Sequence, residues 1–231
     1  KWVIYIPLFG ISTCFFVFLG IIIIFLFNDT VGNKTTGVWW ARFNSFFIPM
    51  FVKTIGKENI NKKQSFRIVS NHQSSLDIFV LFGWLGIVIK WVIKKELSKV
   101  PVFGCAVVKG GNIIIDRSDK KSAYESMKSA KQKVVDGTSV VIFPEGTRSK
   151  TGEMKEFKNG AFQMALDLNL PLLPITIVNT INILKPKTLN LFPGSVKMII
   201  HEPVDSSKYS NESIHSLLDV IQEKFTNIEN S

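Results

Sequence analysis

The sequence predicts an α/β fold: a layered domain with a largely parallel or mixed sheet flanked by helices, preceded by N-terminal membrane helices. Three observations predict it. From Phe66 onwards, short β-branched runs alternate with stretches of helical periodicity, the pattern of strands joined by crossover helices. Val3 to Phe27 contains no charged side chain. Clusters of polar residues fall where the β-branched runs end, and in α/β sheets ligands gather outside strand ends.

The apolar run comes first. As a helix its 25 residues reach roughly 37 Å, more than the ~30 Å of a hydrocarbon core. A cleaved signal sequence is the competing reading. The run is too long for one, and Phe25 to Asn28 offers no small-residue cleavage site. A second apolar stretch, Val38 to Ile55, is interrupted by Arg42, Asn44, Pro49 and Lys53 and carries the pair Trp39 and Trp40, which suits an interface better than a span. Either one span with an interfacial helix or a helical hairpin in one leaflet satisfies these lengths. Residues 1–57 are thus read as a membrane-associated segment and 58–231 as the main domain.

Within that domain the strand candidates are Phe66 to Ser70, Ile87 to Ile93, Asn112 to Asp116, Ser139 to Phe143, Leu172 to Val178 and Val196 to His201. A helix after Ser118 places Ala123, Tyr124, Met127, Ala130 and Val134 at helical spacing and ends before Gly137. Another carries Ala161, Met164, Ala165 and Leu168. A last one, capped near Ser210 or Asn211, sets Ile214, Leu217, Leu218, Ile221, Phe225 and Ile228 on one face.

A formal net charge of +10 asks for an anionic partner. No zinc-finger, RRM-type or KH-type motif accompanies the lysines, whereas a membrane segment does, so anionic membrane lipids fit and nucleic acid does not. Cys14 lies in the apolar run and Cys105 in an apolar stretch, with no metal-ligand spacing and no disulfide framework, so both read as packing residues and no metal is expected.

Four clusters carry the chemistry. In NHQSSLD, His72 and Asp77 would lie about 140° apart on a continuous helix, so only a bend between them brings the side chains together. Ser74 reads as an N-cap with Asp77 in the first turn, which folds His72 on the strand exit back towards Asp77. The plainer reading is an acid complementing a helix dipole beside an ordinary loop histidine. In FPEGTRS, Glu145 and Arg148 share one turn, as an ion pair or as site residues, and Gly146 allows close backbone approach. In GGNIIIDR, Asp116 and Arg117 leave a strand together, as a cap and its partner or as a binding pair. In KKELSKVPVFG, Lys94 and Lys95 form a basic surface.

In this order the clusters, with LPLLPI from Leu170 to Ile175, resemble the glycerolipid acyltransferase family, specifically its 1-acylglycerol-3-phosphate acyltransferases. The resemblance covers roughly Phe66 to Val178. It implies that His72 takes the proton of the acceptor hydroxyl and that Asp77 orients the ring and stabilises the imidazolium. It further implies that Arg117 holds the acceptor phosphate with help from Lys94, that Glu145 contacts the glycerol, and that Arg148 serves phosphate or scaffold. The N–H of Gly146 is the expected oxyanion donor. Pro171 and Pro174 look structural, shaping the entrance to an acyl channel. No Gly-x-Ser-x-Gly elbow is present and no histidine lies near Cys105 in sequence, which favours direct transfer over an acyl-enzyme.

By the same resemblance the acceptor is lysophosphatidate, or another lysophospholipid. The donor is an acyl-CoA or acyl carrier protein thioester as co-substrate, with no cofactor. Asn112 and Ile113 to Ile115 depart from the aromatic residue frequent in the family's second motif, whereas Pro144 matches its lysophosphatidate branch. Lys1, Lys34 and Arg42 lean towards an inner-membrane enzyme whose catalytic domain faces the cytoplasm. The distant alternative is a protein that only binds anionic membranes, with the His/Asp pair inert.

Overall fold

In the computed structural model, the described residues are 2–116, 118–119, 122, 125–126, 128–129, 131–157, 170–209 and 213–226. They build a seven-stranded sheet in the order β1-β7-β6-β2-β5-β3-β4. The strands are β1 Met50–Ile55, β2 Arg67–Ser70, β3 Ile89–Lys94, β4 Ile113–Ile115, β5 Ser139–Ile142, β6 Leu172–Val178 and β7 Gly194–Ile200. All neighbours are parallel except β6 and β7, so the sheet is mixed. Six of these strands coincide with the runs expected from β-branched content. β2 sits at the centre, and all four of its residues are buried, as a strand covered on both faces requires.

Alternate residues of β2 enter opposite layers. Ile68 packs with Leu76, Phe79, Val80 and Leu81, whereas Val69 packs with Leu217, Ile221 and Phe225. The first layer holds α3 (Val38–Phe47) and α4 (Asp77–Trp84). The second holds the C-terminal helix Ile214–Thr226, whose buried Leu217, Leu218, Ile221 and Phe225 form the expected apolar face. The helix expected around Ala161 to Leu168 lies outside the described residues. So do Ala123, Tyr124, Met127 and Ala130 of the preceding one.

The N-terminal reading needs correction. Val38 to Ile55 is not one interfacial helix: α3 ends at Phe47 and β1 begins at Met50, paired in register with β7 from Met50↔Gly194 to Ile55↔Ile199. The residues MFVKTI alternate in burial as an edge strand does, and the aromatic run before them disguised that period in the sequence. A boundary at residue 57 therefore cuts through the sheet unit.

The apolar run is α1, Trp2–Leu26. It turns at Asn28, whose side chain caps the short α2 (Asp29–Gly32), and returns through a π-helical turn, Asn33–Gly37, into α3. The pair is an antiparallel hairpin. Ser12 Oγ donates to Asn44 Oδ1 at 3.0 Å and Trp40 Nε1 to Thr13 Oγ1 at 3.0 Å. A Cβ on Gly32 would lie 2.5 Å from Ile24, so glycine is what lets the two helices close. The hairpin rests on the sheet domain through Trp40, stacked 4.7 Å from Phe79. Its outer side stays uncovered. Ile4–Leu26 is long and apolar enough to cross a membrane, and only 11% of its most apolar window is buried.

Candidate active site

The parallel strands β2, β5, β3 and β4 deliver NHQSSLD, FPEGTRS, Lys94 and Asp116 to one edge of the sheet, their common C-terminal end. The loop after β2 is held at every turn. Asn71 imitates a strand residue, donating from Nδ2 to the Ile177 carbonyl and accepting from the Ile177 N–H, both at 2.8 Å. His72 donates its N–H to Glu145 Oε1 at 2.7 Å, and its carbonyl accepts from Ser149 N at 2.8 Å. Gln73 Nε2 reaches the Gly152 carbonyl at 2.9 Å.

That loop supplies the bend. Asp77 Oδ2 accepts from Gln73 N at 2.8 Å and Ser74 N at 2.9 Å, and the same oxygen lies 2.8 Å from His72 Nδ1. Thr180 Oγ1 donates to Asp77 Oδ1 at 2.5 Å. All these groups donate to one fully buried side chain, as an ionised carboxylate requires. The imidazole then carries its proton on Nδ1, which leaves Nε2 as the basic nitrogen, and the side chain is 16% exposed. Phe143 stacks on the ring at 3.9 Å and 12°, fixing its plane, with Trp91 behind Phe143 at 6.0 Å.

Ser74 is not the N-cap of α4. The helix begins at Asp77, and Ser74 forms a turn one step earlier, accepting from Leu76 N at 3.3 Å and donating to the Leu184 carbonyl at 2.7 Å. Asp77 thus spends its acid on the loop and on His72 rather than on the helix dipole.

Glu145 is 2% exposed, and both its oxygens are engaged by backbone. Oε1 takes His72 N and Oε2 takes Lys155 N at 3.1 Å. Burial raises its pKa above the ordinary 4.5, against the lowering effect of those two hydrogen bonds. Glu145 is a strut under the histidine. Gly146, with φ at +70°, gives its N–H to the Phe143 carbonyl at 3.1 Å. Arg148 does not pair with Glu145 and instead donates to Ser75 Oγ, an exposed guanidinium beside the histidine loop.

Lys94 is exposed and pairs with Glu96 at 3.0 Å. Asp116 accepts from the hydroxyl and N–H of Ser118 and from Lys95, which together lower its pKa to about 2. Arg117 lies outside the described residues. Pro171 and Pro174 flank the first half of β6, Pro174 level with Val69 of β2. β6 runs parallel to β2 with Arg67↔Leu172, so Pro171 stands at the end of the sheet where β2 starts, roughly 20 Å of strand before His72. Their role is structural: the Pro171 carbonyl accepts from Arg67 N, and Pro174 lies where β6 leaves its ladder with β7, at Ile175↔Ile200. Among the described residues no three His, Cys, Asp or Glu side chains gather into a metal-binding group.

The acyltransferase family model matches residues 51–178. The chain is 40% identical over 136 residues to a 1-acyl-sn-glycerol-3-phosphate acyltransferase of Helicobacter pylori (strain J99 / ATCC 700824), covering 58% of this chain and 57% of that one. It is 38% identical over 173 residues to the chloroplastic 1-acyl-sn-glycerol-3-phosphate acyltransferase BAT2 of Brassica napus, covering 73% and 49%. The matched part spans about half the length of these curated relatives. The crystal structure of the 1-acyl-sn-glycerophosphate acyltransferase PlsC from Thermotoga maritima shares the fold. Its TM-score is 0.83 at 24% identity over 100% of this chain and 97% of that one.

Proposed function

Because the chain belongs to the acyltransferase family, we propose that it transfers an acyl group from an acyl thioester to the sn-2 hydroxyl of 1-acyl-sn-glycerol 3-phosphate, giving phosphatidate for phospholipid synthesis. The observation that carries the reading is the His72–Asp77 pair, with Nδ1 2.8 Å from Oδ2. The names of the relatives supply the acceptor. The hydroxyl gives its proton to Nε2 as its oxygen attacks the thioester carbonyl. The tetrahedral intermediate then expels the thiolate, which recovers the proton from the imidazolium, and no bond to the enzyme forms. Asp77 stabilises the imidazolium throughout. The thiol carrier is coenzyme A or acyl carrier protein. The hairpin seats the protein in the membrane, with the sheet domain on the cytoplasmic side and the excess positive charge towards anionic lipid.

In this reading Arg117 binds the acceptor phosphate. A guanidinium gives phosphate two parallel charge-assisted hydrogen bonds that lysine does not reproduce. The test is the ratio of kcat/KM for lysophosphatidate and monoacylglycerol, measured in wild type, Arg117→Lys and Arg117→Ala, with acyl-CoA and acyl carrier protein compared as donors. Loss of the contact lowers kcat/KM for lysophosphatidate roughly 10- to 150-fold and scarcely touches the phosphate-free acceptor. An unchanged ratio removes Arg117 from phosphate binding, and a wild type that prefers monoacylglycerol overturns the acceptor assignment.

A further inference from the structure

On the acyl-transfer reading, we infer that Thr180 is a positioning residue that acts through Asp77 on His72. Thr180 is fully buried, and its hydroxyl donates to the Asp77 oxygen that faces away from the histidine, at 2.5 Å. Without that donor Oδ1 would be a buried acceptor with nothing to accept, free to rotate towards the two backbone N–H groups that now define Oδ2. Thr180 is itself held in place. Asn179 before it takes φ of +81°, which turns the chain out of β6 into the short helical turn Thr180–Ile183. Ser74 Oγ grips the Leu184 carbonyl at the end of that turn. The two contacts clamp the turn onto the histidine loop from both ends, so the carboxylate has one orientation to offer the imidazole.

The experiment uses the full chain in detergent, with lysophosphatidate and acyl-CoA or acyl carrier protein. A hydrogen bond to a charged group is worth roughly 10- to 150-fold, so Thr180→Val lowers kcat within that range and leaves KM within about twofold. Thr180→Ser restores most of kcat. In a His72→Ala background Thr180→Val changes the residual rate by less than about twofold, because the group it positions is gone. Wild-type kcat in Thr180→Val, an equal loss with or without His72, or a Ser variant as poor as Val overturns the inference. Should the Val variant not fold, Thr180→Cys decides in its place: near wild-type volume with a weak donor, it gives an intermediate kcat, and a wild-type kcat refutes the role. A second readout needs no substrate. The His72 Nδ1–H proton resonance moves in Thr180→Val and stays in Thr180→Ser; no movement overturns the inference. A wild type inactive on lysophosphatidate with that resonance responding refutes the acceptor and leaves Thr180 in its place.

Discussion

Replacing Glu145 with Gln separates a strut from a substrate ligand. The carboxylate spans two backbone donors, His72 N at 2.7 Å and Lys155 N at 3.1 Å, from a site 2% exposed. An amide matches only one of them, since its NH₂ must then face the other N–H. The loss is one hydrogen bond to a charged group, about 1.5–3 kcal/mol, partly offset because a buried charge has been removed. The net expectation is about 1–3 kcal/mol of destabilisation, or roughly 2–12 °C in Tm for a chain of this size. Because the released peptide carries the histidine, kcat falls roughly tenfold or more while the acceptor KM stays within about twofold. Thermal melts and initial rates on the same preparation check this. An acceptor KM raised tenfold with an unchanged Tm would refute the reasoning and return Glu145 to the glycerol. The pH dependence has a definite sign. Burial makes the folded chain hold the Glu145 proton more tightly than the unfolded chain, whose ordinary value is 4.5. The group therefore adds stability that is complete below 4.5 and is withdrawn as pH rises through its folded-state value.

Two further predictions rest on other parts of the molecule. His201 lies against Thr176 Oγ1 at 2.8 Å and the Phe225 ring, and burial, then the charge of Lys224, lowers its pKa. Its stabilising contribution is present above the ordinary 6.5 and is lost as pH falls through the lower folded-state value, so His201→Gln loses less Tm than wild type between neutral pH and about 5; equal losses would refute this. Phe15 and Phe18 are 59% and 67% exposed on the outer side of α1. Each lysine placed mid-membrane costs about 2.5–3.5 kcal/mol, so Phe15→Lys/Phe18→Lys is released by alkaline carbonate washing with its Tm in detergent unchanged, whereas wild type stays in the pellet; release of the wild type would refute membrane seating.

What the sequence made legible was whatever a local pattern encodes. Leu172 to Val178 reads as a strand from its β-branched content and is one, and the His72–Asp77 bend follows from a spacing that no helix satisfies. What stayed hidden depends on contacts that span the chain. Thr180 meets Asp77 across 103 residues, and nothing near Thr180 in sequence announces an acid. Strand direction decides which end of a sheet Pro171 serves, and a list of runs carries no direction. Glu145 and Gly146 drew catalytic roles because their residue types permit them. The fold had already committed their polar atoms to the loop, and a buried hydrogen-bonding group serves where its partner is.

The same argument reassigns the glycines of GGNIIIDR. Lys90, on β3 and 1% exposed, donates from Nζ to Asp29 Oδ2 at 2.6 Å and to the Gly110 carbonyl at 2.8 Å, and Asn33 Nδ2 reaches that carbonyl at 2.7 Å. Asp29 and Asn33 stand at the tip of the membrane hairpin, so this cluster docks the hairpin on the sheet. Gly111 has φ of +69°, and a Cβ there would fall 2.4 Å from Asp29 Oδ2 and 3.0 Å from Lys90 Nζ. Any side chain at Gly111 would therefore push apart an ion pair whose lysine is buried, leaving an uncompensated charge of the kind that costs about 3–5 kcal/mol. A glycine that looks like part of a substrate motif is required by the junction between membrane segment and sheet. Five residues along the same β4 connection stands Asp116, beside Arg117, so the junction that seats the hairpin also sets where the proposed phosphate-binding end of the strand begins.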